Sequence, residues 1–328
     1  MTDLTLAQLS NLSVYSAMVV LTLAMLAHGL YLARVVPARE AVAVEAPERE
    51  LVAAGGGSAP GDDAPAVPTE RADEPAGARK AAGIGHSLTV LGTLLVVAGV
   101  VLRALEVHRW PLGNMYEFAI VGAMFTLLAY VAWSTRRDLR WLGVFVTGPV
   151  LLVLGAAITV WYTDASELMP SLRSVWLAIH VTVATMSVAV FTIGASLGIL
   201  YLIQDRVEAR EGGATDRAAF MRRLPTARAL ERLTYATHIV AFPMWTFTVI
   251  AGAIWARQAW GSYWNWDPKE VWSFVIWTVY AAYLHARATT GWKRQNAVWI
   301  SLAGFVCVLL NFAVVNVFFV GQHSYSGM

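Results

Sequence analysis

The chain has 328 residues, of which 57% are hydrophobic and only 14% charged, with a mean hydropathy of +0.55. A soluble globule carries roughly 45–50% apolar and about 25% charged residues, so that class is excluded. The net charge of +2, without a basic tract, leaves nothing for nucleic acid, and a single cysteine, Cys307, rules out an internal disulfide, a CxxC redox pair and a CxxCH haem attachment site.

In chain order the apolar residues form eight segments, at about 13–34, 84–105, 114–134, 141–161, 175–203, 235–255, 270–287 and 296–320. Each approaches the length that crosses roughly 30 Å of hydrocarbon at 1.5 Å per residue. The first is too long, and lacks the basic start and small-residue cleavage site, to read as a removed signal peptide. After it, residues 35–80 are rich in Ala, Pro, Gly and Glu with few large apolar side chains, the composition of a disordered cytoplasmic linker. The expected organisation is an N-terminal transmembrane helix at 1–34, the linker at 35–80 and a seven-helix membrane domain at 81–328. The fold class is all-α, a polytopic integral membrane protein of about eight spans.

Basic residues in the short loops set the orientation. Arg136, Arg137 and Arg140 lie between spans three and four, and seven arginines (Arg206, Arg210, Arg217, Arg222, Arg223, Arg228 and Arg232) between five and six. Arg287, Lys293 and Arg294 lie between seven and eight, whereas the alternate loops hold few. The basic loops read as cytoplasmic. Both termini then face outward, as does a tryptophan-rich loop before span seven.

Seven histidines occur: His28, His86, His108, His180, His238, His285 and His323. An ionisable group inside the membrane is costly without a partner, although neutral imidazole can satisfy itself on a nearby carbonyl. His180 lies about one and a half turns into span five from the outer side, and His323 just past the outer end of span eight, so the two share a depth. A pair of imidazoles backed by aromatic rings is an axial ligand set for haem iron; zinc takes three or four ligands, and no HExxH or close Cys/His/Asp/Glu cluster supplies them. His285 is fifteen residues beyond Glu270, roughly 22 Å along a helix, at the inner boundary. His28, His86 and His238 read as structural, and His108 sits in an outer loop.

The outer loop reads WGSYWNWDPKEVW over residues 260–272. Asp267-Pro268-Lys269-Glu270 has the form of a helix start, with Asp as N-cap, Pro at N1 and Glu at N3 reaching back. Capping does not ask for Trp260, Tyr263, Trp264 and Trp266. An interfacial belt accounts for one or two of them; the set as a whole suits a flat apolar ring system. In a helix Trp260 and Trp264 would share a face and Trp266 would point away.

WGSYWNWDPKEVWSF closely resembles the WWD signature of haem-handling membrane proteins, and more narrowly the CcsA (ResC, in some bacteria CcsB) family of system II cytochrome c biogenesis. The segments PLGNMYEFAIVGAM, LRSVWLAIHVTVATM, the run from AIWARQAW to YLHAR and LLNFAVVNVFFVGQHSYSG extend the resemblance over about 84–328 in the family's order. It implies that His180 and His323 ligate haem iron at an outer site. Trp260, Tyr263, Trp264, Trp266 and Asp267, within the motif at 260–270, would form the platform. His285 would serve an inner haem site whose second ligand comes from a CcsB/ResB-like membrane partner. The implied activity is haem delivery to the extracytoplasmic face of a bacterial cell membrane and attachment of haem b to the CxxCH of apocytochrome c, as a component of a cytochrome c synthase, with thiol-reducing proteins acting indirectly. The alternatives are a quinol-oxidising or other b-type haem redox protein, and a haem transporter or chaperone without synthase activity. A redox core would need stacked histidine pairs across a bundle; a secondary transporter predicts inverted repeats and broken helices, and neither pattern is evident.

Overall fold

The computed structural model describes residues 5–45, 75–164, 174–209, 221 and 224–323, for 35–45 the backbone only. Its long elements are helices: α1 (Leu6–Glu45), α2 (Ala76–Val107), α3 (Met115–Ser134), α4 (Gly143–Thr159, entered through a 3-10 turn at Arg140–Leu142), α5 (Val175–Glu208), α6 (Ala227–Trp260), α7 (Pro268–Ala288) and α8 (Arg294–Leu309). A π turn at Leu310–Val315 carries α8 on to Phe318. No strand occurs among the described residues.

All eight apolar segments are therefore helical, and seven are long and apolar enough to cross a membrane: Leu6–Arg34, Ala76–Val107, Met115–Ser134, Arg140–Thr159, Val175–Glu208, Ala227–Trp260 and Arg294–Phe318. Helix α7 is outside that set. Its Trp and Tyr side chains cover apolar neighbours yet carry a polar atom each, and Lys269, Glu270 and Arg287 sit near its ends. The stretch read as a linker is helical at both ends, since α1 continues to Glu45 and α2 begins at Ala76. The Ala, Glu, Arg and Lys there are good helix formers, which a reading by overall polarity undervalues. Residues 46–74 of that stretch lie outside the described residues.

Helix α1 is docked along α2 by a repeat of seven on both. Gly85, Gly92 and Gly99 form a bare stripe on α2, and a Cβ added at each would run into the His28 ring, the Leu21 side chain and the Val14 side chain respectively. Small residues at such positions let membrane helices approach closely enough for dispersion and hydrogen bonding to hold them. Among the bonds that cross the seam are Ser10 Oγ to the Gly99 carbonyl at 2.7 Å, His28 Nε2 with Thr89 Oγ1 at 3.1 Å, and Arg34 Nη1 to the Gly77 carbonyl at 3.3 Å.

The connections alternate between the two ends of the bundle. Asn11 near the start of α1 bonds Tyr162 beyond α4 and accepts from Tyr116 at the start of α3. Ser174, the N-cap of α5, bonds Gln258 near the end of α6, and His323 beyond α8 meets Asp267 at the start of α7. Asn11 and His323 thus lie at the same end. At the other end Arg287 pairs with the buried Glu231 and stacks on Tyr235.

The loop joining α2 to α3 is fixed by one buried carboxylate. Glu117, fully buried, accepts from Arg103 Nε at 3.1 Å, from Arg109 Nη1 at 2.7 Å and from the Gly113 amide at 2.8 Å. Arg103, also buried, gives its other arm to the Thr163 carbonyl at 2.8 Å, and Asn114 caps α3 by accepting from the Glu117 amide at 2.8 Å. Removing one partner of such a network leaves uncompensated buried charge, which costs about 3–5 kcal/mol. Glu117→Ala is therefore expected to lower stability by about that amount, read as a fall in apparent melting temperature in detergent; an unchanged melting temperature would contradict the role given to Glu117.

Candidate functional site

Helix α6 ends at Trp260 because Gly261 takes the left-handed conformation, φ +80°, and returns its amide to the Arg257 carbonyl. Residues 261–266 then cross without regular structure, and Asp267 opens α7 with the expected capping box: its carboxylate accepts from the Lys269 amide at 3.0 Å, while Glu270 Oε2 accepts from the Asp267 amide at 3.1 Å and the Asn265 amide at 2.7 Å. The helix that would have put Trp260 and Trp264 on one face thus stops at Trp260. Trp266, at φ +58°, occupies a conformation few non-glycine residues adopt, and its ring is 78% exposed.

This end of the bundle holds a cavity of about 210 Å³. Its walls carry His180 from α5, Trp245, Gly252 and Trp255 from α6, Tyr263 and Trp264 from the loop, and His323 from the chain beyond α8. Leu112, Gly113 and Asn114, the loop held by Glu117, line it too, with Phe118, Lys269, Glu270 and Asn311.

Both imidazoles are held through Nδ1. His180 Nδ1 lies 2.9 Å from the Thr248 carbonyl oxygen, which can only accept, so Nδ1 bears the proton and Nε2 is left with its lone pair. A Cβ at Gly252 would strike the same ring, so glycine is what lets α5 and α6 close around it. His323 Nδ1 lies 2.8 Å from Asp267 Oδ1, which fixes the same tautomer. Trp255 lies under both, nearly parallel to His180 at 6.1 Å between centroids and edge-on to His323 at 5.6 Å. Trp260 closes the back of His323 at 4.7 Å and packs on Trp255 at 4.6 Å.

Asp267 therefore has two jobs. Its second oxygen accepts from the Gln322 amide at 2.6 Å, so one carboxylate ties the start of α7 to the chain end that bears His323. Gly321 makes this approach possible, since any Cβ there would enter the Asp267 carboxylate. Burial pushes the Asp267 carboxyl up, but the hydrogen bond and charge of His323 with the Gln322 and Lys269 amides outweigh it, and the group lies below the ordinary 3.8. Its contribution to stability is thus complete above the unfolded value and is lost as pH falls through the depressed folded one.

Of the residues singled out in the sequence, His180, His323, Tyr263 and Trp264 line the cavity. Trp260 and Asp267 stand behind His323 and do not line it, and Trp266 turns away. His285 is at the far end of α7 with an exposed side chain. His28 and His238 are buried and locally bonded, to Thr89 and to the Thr234 carbonyl, while His108 ends α2 in the left-handed conformation. No group of three or more His, Cys, Asp or Glu suited to a metal ion occurs among the described residues. Trp255, Trp245, Lys269 and the 112–114 loop were missed as cavity walls. The quoted segments PLGNMYEF and AIWARQAW contain most of them, but their roles depend on α3 and α6 meeting across α5, which no local spacing displays.

The model of the family described as Cytochrome C assembly protein matches residues 112–323, from one cavity wall to the other. The cytochrome c biogenesis protein CcsA of Parasynechococcus marenigrum (strain WH8102) is 34% identical over 274 residues, covering 74% of this chain and 86% of that protein. CcsA of Guillardia theta is 33% identical over 259 residues, with 74% and 85% covered. Among solved structures, the cytochrome c haem lyase CcmF shares the fold with a TM-score of 0.59 at 18% identity, over 95% of this chain and 47% of CcmF. The chain thus spans about half the length of CcmF. With its helices, its matched segment and its CcsA relatives taken together, the chain belongs to the Cytochrome C assembly protein family and is a polytopic membrane protein of CcsA-type cytochrome c biogenesis.

Proposed function

We propose that the cavity receives haem b as substrate, with His180 and His323 as the two iron ligands, and presents it at the extracytoplasmic face to the CxxCH of apocytochrome c. The observation that carries this reading is the shared tautomer: each imidazole donates Nδ1–H to an oxygen and keeps Nε2 for a metal, the arrangement common among metal-bound histidines. Two ligands from the protein suit a planar macrocycle that fills the other positions on its iron, and indole and phenol rings suit its faces.

The chemistry that haem brings is its pair of vinyl groups. Each cysteine thiol adds sulfur to one vinyl carbon and hydrogen to the other, so the addition consumes no oxidant. The chain's part is positional: to hold the iron, exclude water from the ring and leave the reacting edge within reach of the thiols. The lone Cys307 cannot cycle a disulfide, so thiol reduction belongs to other proteins.

The outward assignment rests on charge. Arg136, Arg137, Arg140, Arg206, Arg228, Arg232, Arg287, Lys293 and Arg294 fall in the connections away from the cavity, and basic loops stay cytoplasmic. His285 is at that inner end, where its exposed ring faces away from the bundle. A haem bound there takes its second ligand from a CcsB/ResB-like membrane partner. A redox core of stacked histidine pairs is not favoured, because His28 and His238 are each packed against glycine and bonded locally.

Three outcomes are expected. His180→Gly and His323→Gly should each abolish the low-spin bis-imidazole spectrum of the haem-loaded protein and cytochrome c maturation, with added imidazole restoring ligation; intact spectra in both variants would refute the outer site. Asp267→Ala should weaken haem binding about 10–100-fold, the usual effect of losing the group behind a metal-bound histidine, measured by Soret titration. His285→Gly should reduce haem loading only when the partner is co-purified; equal loading with and without the substitution would remove the inner site.

A further inference from the structure

The cavity lining contains a lysine that the arrangement of helices does not explain. Lys269 is the second residue of α7, where the positive end of the helix dipole disfavours an ammonium. A lysine at a membrane boundary ordinarily turns its head group out to water. This one reaches inward instead: its Nζ donates to the Asn311 carbonyl at 3.1 Å. Asn311 belongs to the π turn Leu310–Val315, whose irregular bonding leaves carbonyls available, and such turns recur at functional sites. It lies seven residues before Phe318, roughly 10 Å along the helix.

The carboxylates nearby are already engaged. Asp267 serves His323, Gln322 and the Lys269 amide, and Glu270 Oε2 serves two amides. No carboxylate lies within ion-pair distance of Lys269 Nζ among the described residues; Asp267 acts on its charge from further off, and the ammonium's hydrogen bond goes to a neutral carbonyl. Asn311 Oδ1 and Glu270 Oε1 are buried without hydrogen-bond partners, and both residues line the cavity. Both are acceptors, so what completes them is a donor such as an ordered water. The group in this part of the lining that can meet a ligand's anionic oxygen is Lys269 Nζ, an ammonium with three N–H donors, one of which goes to the Asn311 carbonyl.

We infer that Lys269 anchors a propionate carboxylate of the porphyrin and thereby decides which edge of the macrocycle enters first. The inference rests on the haem reading of the cavity. In protoporphyrin IX the propionates lie on the edge opposite the vinyls, so a propionate held by Lys269 turns the vinyl edge to the side of the cavity away from it. Without this anchor two imidazoles and apolar walls would accept the ring in several rotations about its iron. Lys269 is in this sense a positioning residue, acting on a part of the substrate that does not react.

The test compares iron protoporphyrin IX with its dimethyl ester, binding each to the purified full-length chain and following the Soret band. A charge-assisted hydrogen bond is worth about 1.5–3 kcal/mol, so the wild type should prefer the free acid by about ten-fold or more. Lys269→Met should bring that ratio to about one while the ester still gives the bis-imidazole spectrum, showing that the cavity remains formed; Lys269→Arg should keep the preference. A preference unchanged in Lys269→Met, or absent from the wild type, overturns the assignment, leaving an ordered water as the lysine's counterpart. Equal loss of both porphyrins in Lys269→Met, with a lower melting temperature, also overturns it and makes the lysine a structural tie between α7 and α8. Failure of the wild type to give a histidine-ligated spectrum with either porphyrin would instead remove the haem reading on which the inference stands.

Discussion

The Asp267 carboxylate is the joint on which the outer end of the bundle is assembled. Through one oxygen it caps α7 and holds His323; through the other it binds the Gln322 amide. The chain beyond α8 would otherwise be a short irregular segment without secondary structure to orient it. A single charge therefore gives the His323 ring a fixed position and a defined tautomer. Trp260 and Trp255 then pack on a ring that is already aimed, and α6, which bears both, is brought into the same assembly.

The two histidines are held in different ways. His180 sits on a long helix between two others and needs only a carbonyl and a glycine opposite it. His323 lies beyond helical structure and needs a buried carboxylate. A carboxylate behind an imidazole makes it a stronger base than a carbonyl does, so the two imidazoles differ in basicity.

Much of this was legible in the residues. The apolar runs located every long helix, the Asp-Pro-Lys-Glu string announced its own capping box, and His180 and His323 were matched by depth. What escaped was lateral. Only in a helix would Trp260 and Trp264 share a face; the left-handed Gly261 breaks that periodicity, and Trp264 goes to the cavity and Trp266 away. Trp255 was passed over because its neighbours come from α5 and from beyond α8, separated from it by tens of residues. The 112–114 wall depends on Glu117, whose partner Arg103 also bonds the Thr163 carbonyl, so the network closes only when separate connections meet. Helical periodicity reports which side of one element is apolar; it carries no information about which element will face it.

The glycine stripe on α2 has a consequence for how the chain can vary. Each glycine faces one large side chain of α1: Gly85 with His28, Gly92 with Leu21, Gly99 with Val14. Because the two rows run antiparallel with the same repeat, each bare position on α2 takes one bulky side chain of α1, and all three pairs form together in this register alone. A substitution in either row is thus tolerated only if its opposite shrinks or grows to match. Among natural variants these three pairs should change together or not at all, whatever happens to the length of the segment that joins the helices.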